Sequence, residues 1–412
     1  MSEARVDLLL TGIGELVTHD PAHGAPSGLV RDAALLVADG RVAWAGSRLG
    51  LPRQLGDVET IDCGGRAVIP GFVDAHTHLV FGGHRADDFA RRLHGASYAQ
   101  VLAAGGGIHA SVAATRLAAT VDEPGLSLLD QSLARARRMV AFGTTTVEVK
   151  SGYGLDTAGE RRMLEVASEL PRHAGLDVVA TFLGAHVVPA SHRADRDGYL
   201  ALLENEMLPA CAPLARYCDV FCEDGAFSVD EARRVLVAGK RHGLAPRIHA
   251  NQLGASGGAR LAAEVGAVSA DHLDHVDDGD IAALRAAGTV AVLLPGAALS
   301  MRTPPPPARR LWDAGLPVAL ATDCNPGTSY VESMQLVIAL AVLELGLEPE
   351  EALWSATRGG ALALELADRG WLGAGALADL VILDAESHLH LSYRPGGNLA
   401  WKVLKRGRLV YG

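Results

Sequence analysis

The chain has 412 residues, 49% of them hydrophobic and 21% charged, an ordinary globular composition with length enough for a large core. A net charge of −11, with no block of lysines and arginines, argues against a nucleic-acid surface. Five irregularly spaced cysteines make neither a C-x-x-C pair nor a zinc ribbon, so reduced thiols in a cytoplasmic protein are expected.

The opening MSEARVDLLL carries acidic residues and lacks the long apolar run of a secretory leader. RVDLLLTGIGELVT, AALLVADGRVAWAGS and VETIDCGGRAVIPG follow as short β-rich segments punctuated by glycine turns. GALADLVILDA and LAWKVLKRGRLVYG repeat that style at the far end. The turns at Asp39–Arg41 and Arg406–Arg408 fit hairpins. Residues 1–69 and 374–412 are therefore expected to form one small β-sandwich domain from both termini.

From residue 70 to 373 apolar strands alternate with Ala/Leu/Arg-rich helices, as in a parallel α/β fold. Eight strands are expected: GFVDAHTH, TTVEVKSG, VVATFLGAH, CDVFCED, PRIHANQ, AVSADHLDH, TVAVLLPG and PVALATDCN. SLLDQSLARARRMVAFG, VDEARRVLVAGKRHG and GARLAAEVG read as intervening helices. The pattern matches a (β/α)8 TIM-like barrel better than a doubly wound open sheet. MQLVIALAVLELGL is too short to span a bilayer and reads as a buried helix. The run Pro304–Pro307 reads as a loop insert.

In that fold chemistry sits at the C-terminal ends of the strands. His76 and His78 are two apart in the first strand and so share a face. His-x-His alone serves equally well as a pair of hydrogen-bonded core histidines. His249, closing the fifth strand, and Asp323, closing the eighth, change the balance. Three imidazoles and a carboxylate suit a mononuclear zinc or iron site, and closure of the barrel brings strands one and eight together. Asp323 also fits a turn or helix cap, given DCNPGT. Lys150 reads either as a surface lysine or as part of a site loop, EVKSGYG. His186 reads as a backbone-bonded core histidine or a substrate contact. Glu223 reads as a structural carboxylate or as a site residue. His272, beside Asp271 and Asp274, is a candidate proton carrier.

PGFVDAHTHLVFGGHRADDFARRLHGASY, GGGIHASVAATR, GTTTVEVKSGYGLD, LGAHVVPA, IHANQLGASGGARLAAEVGAVSADHLDH, VAVLLPGAA and ALATDCNPGT resemble, in order and nearly full-length, the imidazolonepropionase family of the amidohydrolase superfamily. KSGYGLD and TDCNPGTS carry more of that resemblance than His-x-His. The resemblance implies hydrolysis of 4-imidazolone-5-propanoate to N-formimidoyl-L-glutamate in histidine breakdown. It implies a barrel with a small β-sandwich, a homodimer, and one Zn²⁺ or Fe ion on His76, His78, His249 and Asp323. It places substrate contacts on Arg85, Tyr98, Tyr153, His186, Gln252, Asn325, Gly327 and Thr328. For the glycine and threonine, turn geometry alone is the plainer reading. Arg85 could equally form a surface salt bridge with Asp87 or Asp88.

Many superfamily members carry a proton-shuttling glutamate where this chain has Gln252, as do some imidazolonepropionases. An amide carries no titratable proton near neutral pH, so His272 or Asp323 must move the proton. The fourth strand ends in CED without a lysine, which disfavours the carbamylated-lysine bridge of two-metal relatives. Two other readings remain: a deaminase or other cyclic-amide hydrolase on this scaffold, and a non-catalytic barrel.

Overall fold

In the computed structural model, residues 6–52, 55–95, 100 and 105–412 are described; Tyr98 lies outside them. The chain begins with β1 (Leu8–Val17), β2 (Leu29–Ala38), β3 (Arg41–Ser47), β4 (Glu59–Asp62) and β5 (Ala67–Pro70). Asp39 and Gly40 join β2 to β3 with φ of +51° and +72°, the two left-handed residues that a tight hairpin needs. One edge of β1 is shared: its first half pairs with β4 and its second half with β5, both parallel.

The barrel strands follow as β6 (Phe72–Asp74), β7 (Thr144–Lys150), β8 (Asp177–Ala185), β9 (Tyr217–Cys222), β10 (Ala245–Ala250), β11 (Ser269–His272), β12 (Val290–Leu293) and β13 (Val318–Leu320). They overlap all eight expected segments. Each pairs in parallel with the next, in the order β6 to β13. Every residue of β6, β7, β12 and β13 is buried. Burial on both faces explains why β12 and β13 read as apolar runs, without the alternation of a half-exposed sheet, whereas β7 buries Glu148 and Lys150 as well.

β6 and β13 close the ring just beyond their ordered ends. The Thr322 N–H and hydroxyl donate to the Asp74 carboxylate at 3.0 and 2.6 Å. The Asp323 N–H donates to the His76 carbonyl at 3.1 Å, and the His78 N–H to the Cys324 carbonyl at 3.0 Å. These bonds draw the first and last strands together at the level of their polar ends.

Helices Leu128–Ala141, Thr157–Ala174, Val229–Arg241 and Asp278–Ala287 are among those covering the outside. Ser228 with Glu231, and Asp277 with Asp280, form capping boxes that satisfy free N–H groups where two of these helices start. Phe182, Leu203, Leu208, Ile248 and Leu261 belong to the large apolar core that includes strands and surrounding helices. Helix Met334–Leu343 is mostly buried, as its largely apolar sequence requires, and Gln335 is buried with it. Among the described residues no helix is long and apolar enough to cross a membrane. All five cysteines are buried free thiols.

The chain then returns through β14 (Leu380–Leu383), β15 (Ala400–Lys405) and β16 (Arg408–Tyr411). β14 pairs antiparallel with β5, placing Leu380 opposite Pro70 and Ile382 opposite Val68. The result is one sheet of order β16-β15-β14-β5-β1-β2-β3, with β4 beside β1. Leu10, Ile13, Leu35, Val42, Val68, Ile382 and Leu404 meet in one core drawn from both ends of the chain. Its strand β5 leads, through Gly71, straight into the first barrel strand.

Candidate metal centre

Parallel strands point alternate side chains into the barrel. Five of the charged residues so placed form a buried layer: Glu148 and Lys150 on β7, Asp219 on β9, Arg247 on β10 and Asp271 on β11, each 0% exposed. The Lys150 ammonium lies 2.9 Å from Glu148, 2.7 Å from Asp219 and 3.4 Å from Asp271. The Arg247 guanidinium lies 3.3 Å from Asp271 and donates to the Ala75 and Ala363 carbonyls. Burial alone would raise the Asp271 carboxyl, but Arg247 and Lys150 outweigh it and hold the group well below the carboxylate range.

This layer orients the imidazoles. His76 Nδ1 lies 2.6 Å from Asp271 Oδ2, and His249 Nδ1 lies 3.1 Å from Asp219 Oδ1. A carboxylate accepts only, so each Nδ1 carries the proton and each Nε2 presents a lone pair. His249 Nε2 stands 3.4 Å from His78 Nε2. Asp323 Oδ1 stands 3.5 Å from His76 Nε2 and 3.6 Å from His78 Nε2. Donors about 2.0–2.2 Å from a tetrahedral cation sit roughly 3.3–3.6 Å from one another, the spacing found here. His76 Nε2 has no hydrogen-bond partner although it is buried. His76, His78 and Asp323 therefore fit a divalent metal, with His249 Nε2 beside His78.

The protonation states agree with that fit. Burial pushes His76 and His78 well below the usual imidazole range, which leaves them neutral. Burial pushes the Asp323 carboxyl well up, a tendency that an adjacent cation opposes. Asp323 also has φ +52°, and His272 and Leu273 have φ of +78° and +60°. Such backbone is strained for residues other than glycine, and here it re-aims side chains at the strand ends.

His272 joins the same cluster. Its ring centroid lies 5.5 Å from that of His76 and 5.4 Å from that of His249. Its donor atoms group with those of His76 and His249, and its Nδ1 is buried without a partner.

His186 and Tyr153 lie beside the cluster. The His186 ring stacks on His78 at 5.1 Å and 18°, with its Nδ1 3.0 Å from the Gly152 carbonyl. The plainer reading of His186, a backbone-bonded core histidine, thus coexists with a place in the cluster. Tyr153 lies 5.3 Å from His186 and 5.9 Å from His78. Gln252 is buried beyond the end of β10. Glu223 accepts the Leu253 N–H at 2.9 Å, which suits a structural carboxylate. Asn325 accepts the N–H groups of Gly327 and Thr328 at 2.8 Å each, and donates to the Asp323 carbonyl and the Thr328 hydroxyl. These bonds shape the loop that carries Gly327 and Thr328.

Arg85 Nε lies 3.1 Å from Asp88, yet its guanidinium also reaches across to Gly327, where an added Cβ would sit 2.4 Å from it. Arg85 thus combines an ion pair with a position beside Gly327. Arg92, which the sequence reading did not single out, donates to the Gly327 carbonyl at 3.0 Å.

The amidohydrolase family profile matches residues 59–166 and 127–411. An imidazolonepropionase of Mycolicibacterium smegmatis is 50% identical over 405 residues, 98% of each chain. One of Salinispora arenicola is 52% identical over 404 residues, 97% of this chain and 98% of its own. This chain belongs to the amidohydrolase family, in its imidazolonepropionase branch. A zinc-bound adenosine deaminase of Xanthomonas campestris shares the fold, with a TM-score of 0.72, 20% identity, and 98% and 92% of the two chains covered. In this amidohydrolase the inward cluster of His76, His78 and Asp323, with His249 and His272 beside it, supports a bound metal ion.

Proposed function

We propose that this chain hydrolyses the ring amide of 4-imidazolone-5-propanoate to N-formimidoyl-L-glutamate in histidine degradation, with one zinc or iron ion on His76, His78, His249 and Asp323. The observation that carries the reading is the relationship to imidazolonepropionases over nearly the whole chain. The convergence of inward-facing donors at one end of the barrel supports it.

An ion held by those side chains would supply Lewis acidity and lower the pKa of a nearby water. Asp323 and His272 take the proton released as a water's oxygen adds to the ring carbonyl carbon. They return it to the ring nitrogen as the C–N bond breaks, so one water is consumed and no group is lost. Burial pushes His272 well below the usual imidazole range, so it starts neutral. Gln252 orients the substrate through its amide. Arg85 holds the propionate carboxylate with a planar, charge-assisted fork. Tyr153 and His186 flank the ring, and Tyr98, Asn325, Gly327 and Thr328 complete the contacts.

Incubation of the purified chain with 4-imidazolone-5-propanoate tests the reading. N-formimidoyl-L-glutamate is the expected product. Ammonia release without ring opening, or no turnover, overturns it.

A further inference from the structure

Lys150 takes no part in the steps above, yet it lies in the layer that orients the metal-site histidines. Its side chain is fully buried at the end of β7. An ammonium has three donors, and Lys150 has three acceptors around it: Asp219 Oδ2 at 2.7 Å, Glu148 Oε1 at 2.9 Å and Asp271 Oδ2 at 3.4 Å.

Each acceptor leads to the histidines. Asp219 uses its other oxygen on His249 Nδ1, at 3.1 Å. Asp271 uses the same oxygen on His76 Nδ1, at 2.6 Å. Glu148 uses its other oxygen on the N–H of Thr77, at 3.2 Å, and accepts through its backbone carbonyl from the Thr77 hydroxyl at 2.7 Å. Thr77 is the residue between His76 and His78. A single ammonium thus touches the supports of all three imidazoles. Arg247 reaches only Asp271 among the three carboxylates, at 3.3 Å.

We propose that Lys150 is a positioning residue of the metal centre, tying together the carboxylates that orient His76 and His249 and the backbone that carries His78, and so setting how tightly the ion is held. The inference rests on the metal reading of the preceding section. A lysine that served only to neutralise buried charge would affect folding and leave the metal affinity of the folded protein unchanged. Groups that hold metal-bound histidines through hydrogen bonds change affinity when removed, by about 10–100-fold.

Lys150→Met keeps the length of the side chain and removes its charge and donors. The test is zinc binding to metal-stripped protein in competition with a chromophoric chelator, with thermal unfolding of the metal-free form measured alongside. The expected result is zinc affinity weakened by about 10–100-fold in protein that is still folded at the assay temperature. Affinity within about threefold of wild type, whatever the loss of thermal stability, overturns the proposal.

If Lys150→Met does not fold, Asp219→Asn, Asp271→Asn and their double variant carry the test. Supports joined through one ammonium lose affinity non-additively, whereas additive losses overturn the link. A wild-type protein that takes up no zinc or iron fails at the earlier step and overturns the metal reading itself.

Discussion

Asp271 Oδ2 lies 2.6 Å from His76 Nδ1, with both side chains fully buried, and that contact decides which nitrogen of His76 faces the centre. With the proton held on Nδ1, the Nε2 lone pair faces Asp323 Oδ1, 3.5 Å away. Asp219 and His249 repeat the arrangement at 3.1 Å. The centre therefore depends on buried carboxylates as well as on the groups that face the ion.

Arg85→Lys keeps the charge and loses the planar fork. KM should rise by roughly tenfold or more if a bidentate carboxylate pair of about 1.5–3 kcal/mol is lost, with kcat less affected. Steady-state kinetics check this. An unchanged KM removes Arg85 from substrate binding.

Gly327→Ala examines the same contact from the other side. The new Cβ would sit 2.4 Å from the Arg85 guanidinium, at the far end of a flexible side chain that can move aside. The thermal midpoint should change little while KM rises, as in Arg85→Lys. A variant with wild-type KM would show that the position of Arg85 over this loop is immaterial.

His272→Ala should lower kcat by about 10²–10⁴ if His272 carries the proton. Zinc content measured on the same sample separates loss of the proton carrier from loss of the ion. A fall of only a few-fold assigns the proton to Asp323.

The barrel was legible because its strands are buried on both faces and so read as apolar runs ending in polar residues. Each of the eight expected segments overlaps an observed strand. His76, His78, His249 and Asp323 were legible for the same reason, since each lies at or near a strand end. Asp219 and Arg247 were not. Their partners are far along the chain, as with Lys150 and Asp219 at 69 residues or Arg247 and Ala75 at 172. A charge in an apolar strand reads the same whether it faces a partner or a protein surface. One signal was present: charged or polar residues two apart within apolar strands, as in Glu148 and Lys150 or Arg247 and His249. That spacing directs both members of a pair to one face. Lys150, for which a surface reading was open, is buried by this logic. The double use of Arg85, on Asp88 and over Gly327, needed coordinates, because nothing in the local sequence joins those residues.

His19 sets a pH dependence of stability away from the centre. Burial lowers its pKa from 6.5 to about 4, with a smaller opposing effect from the Pro26 carbonyl 2.8 Å from Nδ1. As pH falls below about 6.5 the unfolded chain takes the proton first, so stability drops until about pH 4. The slope of this contribution is at most about 1.4 kcal/mol per pH unit. Asparagine tolerates the φ of +54° at this position. His19→Asn should therefore lose less stability than wild type between pH 6.5 and pH 4. Urea unfolding across that range checks it, and parallel curves for the two proteins contradict it.

The most direct measurement is turnover of 4-imidazolone-5-propanoate, with metal content determined on the same sample, before chelation, after it, and after zinc or iron is returned. Activity should fall to background as the ion leaves and recover as about one ion per chain rebinds. Full turnover by protein holding far less than one ion per chain would contradict the account.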